Sequence, residues 1–213
     1  MALPDDLPER VYLLAVDRGR RRLVARDRLG YALRGAALAQ LLLAGAVRDE
    51  SGRVEAVRRV PVAGLAGTVL DEIAGDARPR RWRHWVHARA RRARTDVRDR
   101  LVAARIITVT KDRALGLFPV ERIDVRDVLA FERYGTAIRD AVGGPGRTSR
   151  VDATDAAAAA IAAAAELGTV ARRADRRRAK ARIEVLGAGI APVVTAIRQC
   201  VRSDRAARAS SGG

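Results

Sequence analysis

Arg34 and Gly35 stand together at the front of an apolar run, LRGAALAQLLLAGAV (33–47). Arginine is a permanent cation whose rigid fork of N–H donors fits the oxygens of a carboxylate or a phosphate. A buried helix behind Arg34 would hold that fork in one place. Gly35 removes a side chain where an anion could approach the backbone. Taken alone, Arg34 also reads as an ion pair or a backbone-carbonyl contact at a helix start. A second set of cations has helical spacing. Arg91, Arg94, Arg98 and Arg105 fall at i, i+3, i+7 and i+14, a cationic ridge. Val97, Leu101 and Ala104, at i, i+4 and i+7, mark the inward stripe of the same helix. The chemistry these residues suit is anion binding.

Catalytic chemistry finds no comparable support. The chain has no G-x-x-x-x-G-K-[ST] or G-x-G-x-x-G phosphate loop and no G-x-S-x-G nucleophile turn. His84 and His87 have a spacing that could hold a metal, but no third ligand lies near them. Asp96 and Asp99 sit in a field of arginines and read as ion-pair partners. Cys200, the single cysteine, reads as a small core residue and excludes an intramolecular disulfide. The expectation is no enzyme, no catalytic residue, no metal and no cofactor.

The elements that would carry these residues are mainly helical. In 213 residues aromatics are only 3%, so the core is built from Leu, Val, Ile and Ala. Residues 10–16 read as a short strand or the first turns of a helix, and 33–46 as a buried helix. Residues 47–62 read as a polar hairpin or a strand-loop-strand with Ser51-Gly52 at the turn, followed by a short helix over 63–75. A β-hairpin near 106–118 has Lys111-Asp112-Arg113 as its turn, with Ile107, Val109, Leu115 and Leu117 alternating along it. Helices follow over 124–142 with Asp124 as N-cap, over 153–168 with Asp152 or Thr154 as cap, over 169–186, and over 190–202. This predicts one mainly α globular domain over 5–202. Its buried helices are ringed by amphipathic ones, and 203–213 form a disordered tail.

Charge narrows the partners. Lys+Arg number 42 against 25 Asp+Glu, a net charge of +17. The excess is concentrated in three stretches. Residues 18–28, with Arg20, Arg21 and Arg22, hold six arginines and one aspartate, and residues 77–105 hold eleven arginines and two aspartates. The third is the helix over 169–186. Such a balance favours an anionic membrane surface or nucleic acid. The acidic start MALPDDLPER is unlike a signal peptide, and no apolar run reaches bilayer-spanning length. The nucleic-acid alternative rests on the arginine-ridged helix followed by a hairpin, the pattern of a winged-helix module. Against it, no clean helix-turn-helix precedes residue 97, and stacking aromatics are scarce.

LRGAALAQLLLAGAV resembles the signature helix of the Golgi phosphoprotein 3 family, which starts Leu-Arg-Gly and ends in small residues. VRDRLVAARIITVTKD (97–112) is similar to that family's Val-Arg-Glu-Arg-Leu helix leading into an apolar hairpin. The resemblance implies a peripheral membrane protein on the cytosolic face that binds phosphatidylinositol 4-phosphate-like headgroups. It also implies an adaptor role for cytosolic tails of membrane enzymes and homo-oligomers formed through the hairpin residues Ile107, Val109, Leu115 and Leu117. The family's lipid pocket uses a tryptophan and three arginines. Carried over, two of the arginines fall on Arg34 and Arg98, the third on Thr95, and the tryptophan on Ala25. Arg94 or Arg91 would supply the missing cation. The expected headgroup site is thus Arg34, Arg98, Arg94 and Gly35, with Arg20, Arg21, Arg22 and Arg91 as a membrane-facing patch. The near absence of lysine fits GC-rich coding and a bacterial-type member, whose membrane would be the plasma membrane.

Overall fold

The computed structural model describes residues 3–57, 61–114 and 118–210, with the side chains of all but 113, 114 and 118–120. The chain begins with α1 (Leu7–Leu14), which carries Pro8 in its first turn, where a missing N–H costs nothing. Val11, Tyr12 and Leu13 on this helix are buried. Of the residues 10–16 left open by sequence, 10–14 are therefore helix, and Val16 begins β1 (Val16–Asp17), which pairs with β2 (Arg22–Leu23). Helix α2 (Arg26–Leu43) follows and forms the axis of the domain. Every residue from Leu29 to Ala39 is buried, as expected of a helix without a polar face. A fully buried leucine such as Leu33 or Leu38 contributes about 1.5–3 kcal/mol.

Small residues let neighbours approach α2 closely. β3 (Val47–Glu50) and β4 (Arg53–Ala56) pair around Ser51 and Gly52, whose φ values of 50° and 79° make the tight turn foreseen from sequence. After α3 (Gly64–Gly75), β5 (Arg80–Arg81) joins β4 and leads into α4 (Trp82–His87) and α5 (Ala90–Ala103). A Cβ on Gly30 would lie 2.2 Å from the Ala90 carbonyl oxygen, so α5 begins almost against the α2 backbone.

The hairpin of β6 (Ile107–Ala114) and β7 (Phe118–Val125) departs from the expected register. Lys111 pairs with Glu121 and Asp112 with Val120, so the tripeptide 111–113 lies within a strand and is not the turn. An Asp112–Arg122 ion pair suits that exposed strand position. The second strand consumes Asp124, and α6 (Val128–Gly143) is capped instead by Asp127, which accepts from the Ala130 N–H at 3.0 Å. Asp152 caps α7 (Ala153–Ala164), accepting from Thr154 N–H at 2.8 Å. The alanine tract of α7 is buried from Ala157 onward.

The basic stretch after α7 is two helices, α8 (Arg173–Arg178) and α9 (Lys180–Leu186), where like charges at i, i+4 weaken a continuous one. Finally α10 (Ala191–Ser210) runs past the expected end at 202. Its last turns are held to the body: Tyr31 Oη donates to Asp204 at 2.9 Å, and Arg208 reaches Asp27 at 2.7 Å. Residues 203–210 of the expected tail are thus helix, and 211–213 lie outside the described residues. The result is mainly α, with short antiparallel hairpins, organised around α2.

Candidate functional site

The cationic ridge of α5 meets the start of α2 at a cavity of about 160 Å³. Val97 and Leu101 bury one stripe of α5, which fixes Arg94 and Arg98 on the face beside it. Arg26, the first residue of α2, closes one side, and Glu121 of β7 another. Arg94 Nη1 donates to the Arg26 carbonyl at 2.8 Å, which ties the two helices together. Arg98 donates to Asp99 at 2.9 Å and to Glu121 at 3.0 Å. The Asp99 hydrogen bond holds its guanidinium above the usual arginine range. Arg26 and Arg94 have no carboxylate partner among the described residues.

Tyr12 of α1 also lines this cavity. It is fully buried, and its hydroxyl has no hydrogen-bond partner among the described residues. Burial pushes the phenol far above its ordinary range, with the Arg98 charge pulling the other way. An unpaired buried hydroxyl is costly. Tyr12 shares the lining of this cavity with Arg26, Arg94 and Arg98, whose charges all act on its phenol. Sequence reasoning missed Tyr12, which looks like one more residue of the apolar run RVYLLAV. It also passed over Arg26, whose only signal was its membership of the 18–28 stretch.

The other expected site residues are dispersed. Arg34 is not at a helix start but in the middle of α2, because the buried surface extends back through Leu29. It is 1% exposed. Its Nε donates to the Trp85 carbonyl at 2.9 Å and its Nη2 to Glu72 at 2.7 Å. The ion-pair and carbonyl reading is what the structure has. Arg34 borders a separate cavity with Glu72, Arg89 and Arg92, so it does not join Arg98. Gly35 serves packing: a Cβ there would lie 2.4 Å from Ile197 Cδ1, which leaves no room for a headgroup.

Of the basic patch, Arg20 pairs with Asp17 at 3.0 Å, and Arg21 pairs with Asp124. Arg22 and Arg91 are exposed without carboxylate partners among the described residues. In the hairpin, Ile107 is fully buried and Val109 half-buried, so neither offers a free apolar face for self-association. Leu115 and Leu117 lie outside the described residues. His87 stacks on Tyr31 with centroids 5.7 Å apart, and His84 meets Trp85 edge-on. Cys200 is buried in the core. Asp96 faces Arg92 at 3.6 Å, and Asp99 faces Arg98 at 2.9 Å.

Fold and site together define a helical domain built around one buried helix, with arginine-lined cavities near the start of that helix. No single helix among the described residues is long and apolar enough to cross a membrane. Residues 7–203 match the family Golgi phosphoprotein 3 (GPP34), and the chain belongs to that family. No curated protein sequence matches it significantly.

Proposed function

We propose that this protein is a non-catalytic peripheral membrane protein that binds phosphoinositide-type headgroups in the cavity of Tyr12, Arg26, Arg94 and Arg98. The observation that carries the reading is the partnerless, buried hydroxyl of Tyr12, a residue that lines the cavity together with those three arginines. A phosphate monoester supplies several acceptor oxygens and about two negative charges, which suits one hydroxyl and a set of guanidinium forks. Family membership supports a membrane partner. The positions inherited from the family pocket support the location: Thr95 and Arg98 line the cavity, and Ala25 immediately precedes Arg26. With Ala25 in place of an aromatic, affinity comes from charge and hydrogen bonds. Arg22 and Arg91 add non-specific attraction to anionic lipid, on the order of 1 kcal/mol each near the surface. The protein works at the cytosolic face, as an adaptor for tails of membrane proteins.

Vesicle co-sedimentation at near-physiological salt tests the reading. Neutral vesicles, phosphatidylserine vesicles and charge-matched phosphatidylinositol 4-phosphate vesicles are compared, with duplex DNA as competitor. The expected result is preferential phosphatidylinositol 4-phosphate binding, lost in Arg26→Ala/Arg94→Ala and resistant to DNA. Equal binding to every anionic vesicle, abolished by DNA, would overturn it in favour of a nucleic-acid-binding surface.

A further inference from the structure

A larger basic cavity lies on α10. Arg198, Val201, Arg202 and Arg205 fall at i, i+3, i+4 and i+7 and share one face of that helix. Opposite them stand Arg173, Arg176 and Arg177 of α8 and Lys180 of α9. Between the two faces is a cavity of about 430 Å³ with apolar walls from Ala163, Ala164 and Ile183. Seven cations line it, against the single carboxylate of Glu166.

That carboxylate is already shared. Arg205 lies 2.7 Å from it and Arg176 4.0 Å, and Arg28 from the first turn of α2 also pairs with it. Glu166 takes a left-handed φ of 56°, a conformation suited to glycine, so a strained residue gathers these guanidinium groups. Arg176 is only 16% exposed and donates to the Ala171 carbonyl at 2.6 Å. Burial, with the nearby Arg28, Arg173 and Arg205 charges, pushes it below the usual arginine range. Arg173, Arg177, Lys180, Arg198 and Arg202 have no carboxylate partner among the described residues. Cations held together in this way repel one another, and a bound polyanion relieves the repulsion.

We infer that this cavity is a second anion site, which takes a compact ligand carrying several phosphate groups. One phosphate monoester brings about two negative charges, too few for five unpaired cations. A polyphosphate chain or a multiply phosphorylated ring matches both the charge and the volume. The apolar walls suit the carbon part of such a ligand. Two sources share this chemistry: a free polyphosphate compound and a multiply phosphorylated lipid headgroup. The site has no lining residue in common with the Tyr12 cavity and stands independently of the function proposed above.

Isothermal titration of the full chain with inorganic tripolyphosphate tests it, with sulfate as the low-charge control. Arg177→Ala/Arg202→Ala removes two exposed cations and leaves the core untouched, which circular dichroism verifies. The expected result is binding of tripolyphosphate much tighter than that of sulfate. It weakens about tenfold or more in Arg177→Ala/Arg202→Ala and holds in Arg94→Ala/Arg98→Ala. In a second arm, run in the Arg94→Ala/Arg98→Ala background so that the Tyr12 cavity does not contribute, phosphatidylcholine vesicles carrying a phosphatidylinositol bisphosphate distinguish the sources. Recruitment competed by tripolyphosphate and lost in Arg177→Ala/Arg202→Ala assigns the lipid, and tripolyphosphate binding without it assigns the free compound. The inference is overturned if Arg177→Ala/Arg202→Ala binds tripolyphosphate as the wild type does, or if sulfate binds equally well. It is also overturned if duplex DNA binds these arginines more tightly than tripolyphosphate. Failure at Arg94 and Arg98 alone would remove the proposed headgroup site and leave this one standing.

Discussion

Tyr12 and Arg34 carry opposite lessons about a buried polar side chain. Arg34 is fully committed, with Nε on the Trp85 carbonyl and Nη2 on Glu72. Its charge stabilises the interior of α2 only while both partners remain. Tyr12 is as deeply buried, yet its hydroxyl meets no partner among the described residues. A group that weakens the free protein and faces a cationic cavity suits a bound anion better than an empty one. Tyr12→Phe should therefore raise the stability of the free protein by about 1 kcal/mol, read from urea denaturation, and weaken phosphoinositide binding. A variant that is both less stable and unchanged in binding would show that the hydroxyl has a structural role.

Packing between elements explains where these groups stand. α2 and α5 meet through Gly30, where an added Cβ would press on the Ala90 backbone at 2.2 Å and 2.7 Å. Gly30→Ala should cost about 1–3 kcal/mol, seen as a lower thermal midpoint. Gly75→Ala, which meets nothing within 4 Å, should be neutral or mildly stabilising. Equal effects of the two would mean that the approach of α5 to α2 is not tight. The elements themselves were readable in the sequence where periodicity was strong: α2, α3, α5 and the Ser51-Gly52 hairpin. The register of β6 and β7 was not, because Lys111, Asp112 and Arg113 have turn-like composition but sit in an exposed strand pair. The end of α10 was hidden for a related reason. Its last residues are polar, and they are held by Tyr31–Asp204 and Arg205–Glu166, which are distant in the chain. The candidate site was half legible. Arg94 and Arg98 showed in the ridge, whereas Arg26 and Tyr12 join them only through tertiary packing.

Over the whole molecule, the +17 charge is distributed as ion pairs in some places and left open in others. One acidic cluster affects overall stability. Burial, with Glu9 beside it, pushes the Asp6 carboxyl from an ordinary 3.8 up to about 6, although Arg100 opposes the shift. Between those values the folded chain holds more protons than the unfolded one. Stability from this group is therefore greatest below about pH 4 and is lost as pH rises through 6. Asp6→Asn should flatten urea midpoints across that window and add about 1–2 kcal/mol at neutral pH, allowing for partial solvation. An unaltered profile would mean that Asp6 titrates normally. The open charge is the other half. Arg26 and Arg94 beside Tyr12, and the cations facing α10, leave positive potential near the start of α2. A basic molecule of this kind approaches anionic membranes readily, and its selectivity must come from a cavity. The most direct measurement is calorimetric titration of a water-soluble short-chain phosphatidylinositol 4-phosphate into the wild type, Arg94→Ala/Arg98→Ala and Arg34→Met. A headgroup site in the Tyr12 cavity requires that Arg94→Ala/Arg98→Ala lose about tenfold or more in affinity, while folded Arg34→Met binds as the wild type does. Loss of binding in folded Arg34→Met, with Arg94→Ala/Arg98→Ala unaffected, would contradict it.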